Sequence, residues 1–185
     1  LSPESGRLTG EDTGVGRLPE PASIVEAALA LLQPQDLAGK NILVTAGGTQ
    51  EPIDPVRFIG NKSTGKQGIA IAEAGLARGA DVTLIIANSD IPSHPRINRV
   101  NVSSVSEMSD ALHREFTSCN LLFMAAAISD VRPDNTAVEK IKKDKFRQIN
   151  LVENPDFLAS LPAHDSRKVI VAFAAETDGV SVEAA

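Results

Sequence analysis

The sequence predicts an α/β fold, a doubly wound parallel sheet with helices on both faces. Three observations carry this. Short apolar runs of strand length recur between residues 40 and 174. Amphipathic stretches of helical period stand between them. The longest polar loops follow the first and fourth runs, where the winding of such a sheet reverses.

Residues 1–23 are rich in Gly, Pro, Ser and acids and predict an irregular arm. Ser23 is placed to cap a short helix over Ile24–Leu32, with Glu26 at the capping-box position and Pro34 ending it. The arm, residues 1–37, gives way to a main domain over 38–185. Asn41–Ala46 is the first strand, apolar enough to be buried on both faces. The loop Gly47–Thr64 follows. Gly65–Arg78 predicts a helix with Ile69, Ala72 and Leu76 on one face and Gly79 as its stop signal. Asp81–Ala87 is the second strand and Ile97–Val102 a weaker third. Ser106–Ser118 predicts a helix with Met108, Leu112 and Phe116 spaced by four. Asn120–Ala127 is the fourth strand and Lys168–Ala174 the fifth. A short helix over Pro155–Leu161 lies between them, with Asn154 as its cap. Right-handed crossovers then give the Rossmann-like strand order 3-2-1-4-5. Ligands bind such sheets beyond the carboxyl ends of the strands at the reversal, which is where Gly47–Thr64 and Ala127–Lys145 lie.

Composition narrows the function. Hydrophobic residues at 42% and charged residues at 23% suit a globular domain with a full core. A net charge of −6 argues against sequence-independent nucleic-acid binding, which needs a basic surface. The single cysteine, Cys119, excludes an internal disulfide and a multi-cysteine zinc site, and predicts a small half-buried hydrophobe in a reducing compartment. The longest apolar stretch, Val25–Leu32, is too short to span a membrane. A cytoplasmic protein is expected. The chain begins at Leu1 and stops at Ala185 in what reads as the start of a helix, so a fragment of a longer protein is expected.

Two motifs invite misreading. The run TAGGT after the first strand suggests a dinucleotide turn, but that fingerprint needs G-x-G-x-x-G opening into a helix and an acid ending the second strand. Here Gly47-Gly48 lead to Glu51-Pro52, the second strand ends Ala87-Asn88, and the chain has no Tyr for short-chain dehydrogenase chemistry. Gly60–Gln67 (GNKSTGKQ) nearly matches a phosphate loop, with Gln67 where the magnesium-binding hydroxyl belongs. What survives is a Gly-rich turn opening a helix. It can offer backbone N–H groups to an anion or simply start the helix.

Residues 44–68, VTAGGTQEPIDPVRFIGNKSTGKQG, resemble the opening segment of phosphopantothenoylcysteine synthetase, also called phosphopantothenate–cysteine ligase. Four further blocks match that family in order: Ala125–Asp130 (AAAISD), Glu139–Lys143 (EKIKK), Asn154–Asp156 (NPD) and Phe173–Thr177 (FAAET). Arg7–Pro21 is similar to the flap at the end of phosphopantothenoylcysteine decarboxylase, which precedes the synthetase in bacterial bifunctional coenzyme A biosynthesis proteins. The resemblance implies a ligase in which the carboxylate of 4′-phosphopantothenate attacks the α-phosphate of CTP. Pyrophosphate leaves, and the amine of L-cysteine then displaces CMP from the acyl-cytidylate. It also implies Mg2+ carried by the nucleotide, FMN only in a decarboxylase part upstream, and a homodimer within a larger assembly. Family members continue beyond the position of Ala185, and the stretch from Lys143 to Asn154 is short against them.

The chemistry requires activation, since a carboxylate is a poor electrophile at neutral pH, and exclusion of water from the mixed anhydride. Asn61 carries an amide that donates without titrating, and the family's matching Asn serves the activated intermediate. By itself it reads more readily as a turn residue stabilising its own loop, and the family match reverses that preference. Lys140 matches the family lysine tied to CTP and turnover. Lys142, Lys143 and Lys145 beside it read as a solvated basic run, where a surface pair is worth on the order of 0–1 kcal/mol. Arg57 can grip a phosphate bidentately, or pair with Asp54 or Glu51 to shape its loop. Asp130 can accept from cytosine or ribose, or cap a loop; the family places it at the nucleotide. Gly47, Gly48, Pro155, Asp156, Phe157, Leu158 and Phe173 match nucleotide-lining positions, and Ala126 and Ala127 substrate-lining ones. Without the resemblance, Phe173 reads as core. Metal ligands from the protein are expected to be few. The competing readings are a nucleotide-binding or regulatory domain without turnover, and a reductase.

Overall fold

The apolar runs do fold as one parallel sheet. The computed structural model describes residues 1–10, 12–144, 146–162 and 167–174. In chain order the elements are β1 (Glu4–Arg7), β2 (Thr13–Arg17), α1 (Pro21–Leu32), β3 (Asn41–Gly47), β4 (Gln50–Pro52), β5 (Phe58–Gly60), α2 (Lys66–Ala77) and β6 (Asp81–Ala87). There follow β7 (Asn98–Val102), α3 (Val105–Phe116), β8 (Leu121–Met124), β9 (Val131–Pro133), β10 (Leu151–Glu153), α4 (Phe157–Ser160) and β11 (Val169–Ala172). Ala175-Glu176-Thr177 of the last family block, Lys145, the Glu26 side chain and the expected helix start before Ala185 lie outside the described residues.

The sheet order is β11-β8-β3-β6-β7, every pair parallel, which is the expected 3-2-1-4-5 order read from the other edge. β3 sits at the centre, in register with β6 from Asn41↔Asp81 to Gly47↔Ala87 and with β8 from Ile42↔Leu121. Its alternate side chains feed two cores. Ile42, Val44 and Ala46 pack with Val82, Leu84 and Ile86 under Ile69 and Ala72 of α2. Leu43 packs with Ile85, Leu122 and Met124 under Met108, Leu112 and Phe116 of α3. Truncating a fully buried leucine such as Leu112 in such a core typically costs about 2–5 kcal/mol. Cys119 is buried in the α3 core and not half-buried as expected, and burial pushes its thiol up from its ordinary pKa.

Some expectations fail for identifiable reasons. The arm is not irregular: β1 and β2 form an antiparallel hairpin with Gly6↔Gly14 and Arg7↔Thr13 paired. Its turn is closed by Leu8 N–H donating to Asp12 O (2.9 Å) and Arg7 Nε donating to Gly10 O (3.0 Å). The helix α1 begins at Pro21, not after a Ser23 cap, because proline at the first helical position gives up an N–H that has no partner there anyway. The cap of α4 is Asp156, not Asn154. Phe173 is not core but 45% exposed, one residue past β11. The loop 47–64 contains the β4–β5 hairpin, and β9 after the fourth strand pairs with β10.

Candidate active site at the reversal of winding

The two loops expected to meet beyond the sheet are stitched together backbone to backbone. Past the end of β8, Ala125 N–H donates to Thr45 O (3.1 Å) and Ala127 N–H to Gly47 O (2.8 Å); Thr49 N–H returns to Ala127 O (3.2 Å). Parallel pairing therefore continues past the sheet, with an isolated bridge at Gly48↔Ala127. Side chains extend it. Thr49 Oγ1 accepts from Ser129 N–H (3.0 Å), Thr45 Oγ1 from Ala126 N–H (3.4 Å), and Asn61 Nδ2 donates to Ile128 O (2.8 Å). An amide NH2 carries two donors, so Asn61 retains a second N–H at an exposed position.

Both positions demand glycine, for different neighbours. Gly47 has φ +78°, and a Cβ there would lie 2.0 Å from Ala87 O at the end of β6. A Cβ on Gly48 would lie 2.5 Å from Asn61 O. The missing side chain of Gly48 thus lets the Asn61 segment lie against the end of β3.

Two buried carboxylates hold the β4–β5 hairpin. Glu51, 3% exposed, accepts from Val105 N–H (2.9 Å) at the start of α3. Burial pushes its pKa above the usual 4.5, with the Val105 and Thr49 hydrogen bonds opposing. Asp54 Oδ1 accepts from Val56 N–H and Arg57 N–H, both 2.9 Å, forming an Asx-type turn. Its Oδ2 takes Arg57 Nε (2.9 Å), Arg57 Nη2 and Ile141 N–H (3.1 Å). The Arg57 hydrogen bond holds this carboxyl well below the usual carboxylate range. Arg57 itself also donates from Nη2 to Ile141 O (2.8 Å) and stacks on Phe146, 3.7 Å from its ring centroid. Of the two alternatives for Arg57, pairing with Asp54 is the one seen.

An open cleft of about 710 Å³ lies beside Asn61, lined by Lys62, Ser63, Thr64, Gly65, Lys66, Gln67 and Ala125. The N-cap of α2 is Gly65, which gives no side-chain cap; Lys66 N–H reaches Thr64 Oγ1 (3.5 Å), and the N–H groups of Gln67 and Gly68 remain able to meet an anion. Lys62 and Lys66 add two exposed ammonium groups. No cluster of three or more His, Cys, Asp or Glu able to hold a metal occurs among the described residues. Nor is any helix among them long and apolar enough to cross a membrane.

The remaining sequence-predicted residues divide. Lys140 is exposed and without a hydrogen-bond or ion-pair partner among the described residues. Its neighbour Ile141 is tied to Arg57 at the tip of the β4–β5 hairpin, whereas Asn61 follows its base. Four extended residues reach at most about 14 Å, which bounds the distance from Arg57, where the Lys140 segment is tied, to Asn61. Asp130 lies in the loop beyond β8 with an exposed side chain, and its O accepts from Asn154 N–H (2.8 Å). Asn154 is fixed by Nδ2 donating to Ser129 O (2.8 Å). Asp156 Oδ1 is committed to Leu158 and Ala159 N–H (2.8 and 3.1 Å). Phe157 turns into the α3 core, while Pro155, Leu158 and Phe173 remain exposed. Sequence reasoning offered Asp54 and Glu51 only as partners for Arg57, and missed that Glu51 holds Val105 N–H and that Asp54 also holds Ile141 N–H and its own turn. The Asp-Pro-x-Arg spacing, an Asx-turn signature, was the available signal for the second.

Residues 37–185 match the family described as the DNA/pantothenate metabolism flavoprotein C-terminal domain. The chain is 48% identical over 191 residues to the coenzyme A biosynthesis bifunctional protein CoaBC of Mycobacterium tuberculosis, covering 96% of this chain and 46% of that protein. To the Escherichia coli K12 protein of the same name it is 42% identical over 184 residues, covering 96% and 45%. It thus spans about half the length of the curated relatives it matches. A crystal structure of the C-terminal domain of CoaBC superposes with TM-score 0.67 at 35% identity, covering 78% of this chain and 68% of that one. A mutant Cab2 in complex with phosphopantothenate-cysteine shares the fold, with TM-score 0.55 at 23% identity, covering 76% and 66%.

Proposed function

This chain belongs to the DNA/pantothenate metabolism flavoprotein C-terminal domain family, and from that premise we propose that it joins 4′-phosphopantothenate to L-cysteine at the expense of CTP. The observation that carries the reading is the stitched pair of loops. It presents a free Asn61 N–H beside a cleft built to accept anions.

In the first step the substrate carboxylate attacks the α-phosphorus of CTP. A P–O bond forms to the acyl oxygen, the bond to the β-phosphate oxygen breaks, and pyrophosphate leaves. Lys140, exposed and unpaired among the described residues, follows charge on the nucleotide phosphates. The α2 N-terminus with Lys62 and Lys66 holds an anionic group by dipole and charge. A magnesium ion carried by the triphosphate would be held mainly by the phosphates, with few protein ligands, and would supply charge neutralisation to the leaving pyrophosphate. In the second step the cysteine amine attacks the acyl carbon, CMP departs and the amine proton is lost. Asn61 donates to the developing oxyanion of that step without exchanging a proton. Asp130 offers an exposed carboxylate, unpaired among the described residues, to cytosine or ribose. Exposed Pro155, Leu158 and Phe173 offer apolar surface to the base, whereas Asp156 and Phe157 support that surface from α4. Arg57 acts on the loops and not on substrate, and Gly47, Gly48, Ala126 and Ala127 contribute close packing.

The same proposal puts FMN-dependent decarboxylation on a separate part of a longer protein, and a homodimer in solution. The test is pyrophosphate release from the full-length protein with 4′-phosphopantothenate, cysteine and CTP or ATP in turn. Release that needs phosphopantothenate and favours CTP is expected. Nucleotide binding with no release under any combination would select the non-catalytic reading instead.

A further inference from the structure

Lys140 has no side-chain partner among the described residues, yet the segment that carries it is held at several points to the first loop. Thr136 Oγ1 donates to Pro52 O (2.9 Å) and Ala137 N–H to Ile53 O (2.9 Å). The strongest attachment falls on the residue next to Lys140. The Ile141 N–H meets Asp54 Oδ2, and the Ile141 C=O meets Arg57 Nη2. One ion pair therefore grips both peptide groups of one residue. It is sheltered: the Asp54 side chain is 0% exposed and that of Arg57 27%, with Phe146 stacked on the guanidinium.

We propose that Asp54 is a positioning residue which, through its pair with Arg57, clamps Ile141 and so aims Lys140 at the nucleotide. This rests on Lys140 being the nucleotide-facing cation. A long ammonium on a free loop would lose rotamer and backbone entropy on every encounter with a phosphate. Fixing the backbone at the adjacent residue removes the larger part of that loss and leaves the side chain free to follow the charge. The division of labour within Asp54 supports this. Its Oδ1 makes the local turn, but its Oδ2 serves only the guanidinium and Ile141. A turn alone needs one oxygen, whereas this carboxylate uses both.

That division provides the test. Asn in place of Asp54 keeps one acceptor oxygen, enough for the turn, and turns an NH2 toward three donors. Arg57→Lys keeps the charge but cannot donate to Asp54 and Ile141 together in the planar geometry of a guanidinium. Full-length wild type, Asp54→Asn and Arg57→Lys would be compared by amide hydrogen exchange, CTP affinity and steady-state kinetics. In both variants, exchange over residues 139–143 should rise about tenfold or more while the β3 and β6 amides stay protected. CTP affinity and the KM for CTP should weaken about tenfold, with the KM for cysteine changed by less than about twofold. Unchanged exchange at Ile141 would overturn the clamp. Raised exchange with unaltered CTP affinity would overturn its purpose, as would a loss of protection across the whole sheet. If wild type binds CTP but releases no pyrophosphate, the ligase reading fails, while exchange and affinity still decide whether Asp54 positions Lys140.

Discussion

Gly48→Ala tests whether the two loops at the reversal must lie as close as they do. The added Cβ would sit 2.5 Å from Asn61 O, where ordinary contact begins at 3.4 Å. That neighbour is backbone, held in turn by the Asn61 side chain on Ile128 O, so it cannot swing aside as a flexible side chain would. The Asn61 segment must therefore retreat by about 1 Å, and a misplacement of about 1 Å at a reacting centre costs on the order of 10²-fold in rate. In activation terms this is about 2.7 kcal/mol. Overpacking also destabilises, by about 1–3 kcal/mol, with Tm falling about 2–4 °C for each kcal/mol in a domain of this size. The assay is kcat for pyrophosphate release, measured well below the Tm of the variant. Gly14→Ala serves as control, since its Cβ would meet only Leu8 Cδ1 at 3.6 Å. A kcat for Gly48→Ala within about threefold of wild type would refute the reasoning, because a 1 Å retreat of Asn61 is incompatible with so small an effect.

Three further outcomes are expected. Lys140→Gln should lose on the order of 10²-fold in turnover with an unchanged melting curve, because the side chain is exposed and supports no other group among the described residues. Asn61→Asp sets a carboxylate against the Ile128 carbonyl and removes the donor, so rapid quenching should show acyl-cytidylate accumulating while CMP release slows. For Glu51 the sign follows from burial. Its folded pKa lies above 4.5, so the folded chain binds that proton more tightly, and its contribution to stability falls as pH rises from 4.5 through the folded value. Glu51→Gln should therefore flatten the pH dependence of urea unfolding and be at least as stable at neutral pH. Glu51→Ala, which orphans Val105 N–H, should lose about 1–2 kcal/mol.

The central strands were legible because β3 and β6 are unbroken apolar runs whose neighbours in the sheet are dictated by crossover handedness. Both ran within one residue of expectation. The β1–β2 hairpin was not, since its pairs are mostly exposed and its Gly content outweighs its weak alternation. β9 and β10 pair across a gap of 17 residues with three residues each, too short for any periodicity to register. At the site, the loops that converge were visible from length and polarity. Who pairs with whom within them was not. Asp54 or Glu51 were both open partners for Arg57, and only burial and geometry separate a carboxylate that builds the hairpin turn from one that caps a distant helix. Phe157 and Phe173 show the same limit, because which of two aromatics faces the core depends on the angle at which α4 and β11 leave the sheet.

The most direct measurement is a crystal structure of the full-length protein with CTP and 4′-phosphopantothenate bound. The account predicts the reacting carboxyl within hydrogen-bond reach of Asn61 Nδ2, with the triphosphate at the carboxyl end of the sheet where Lys140 can meet it. A nucleotide bound instead in the hollow at the opposite end, lined by Asn41, Asp81, Arg96 and Asn98, would contradict it.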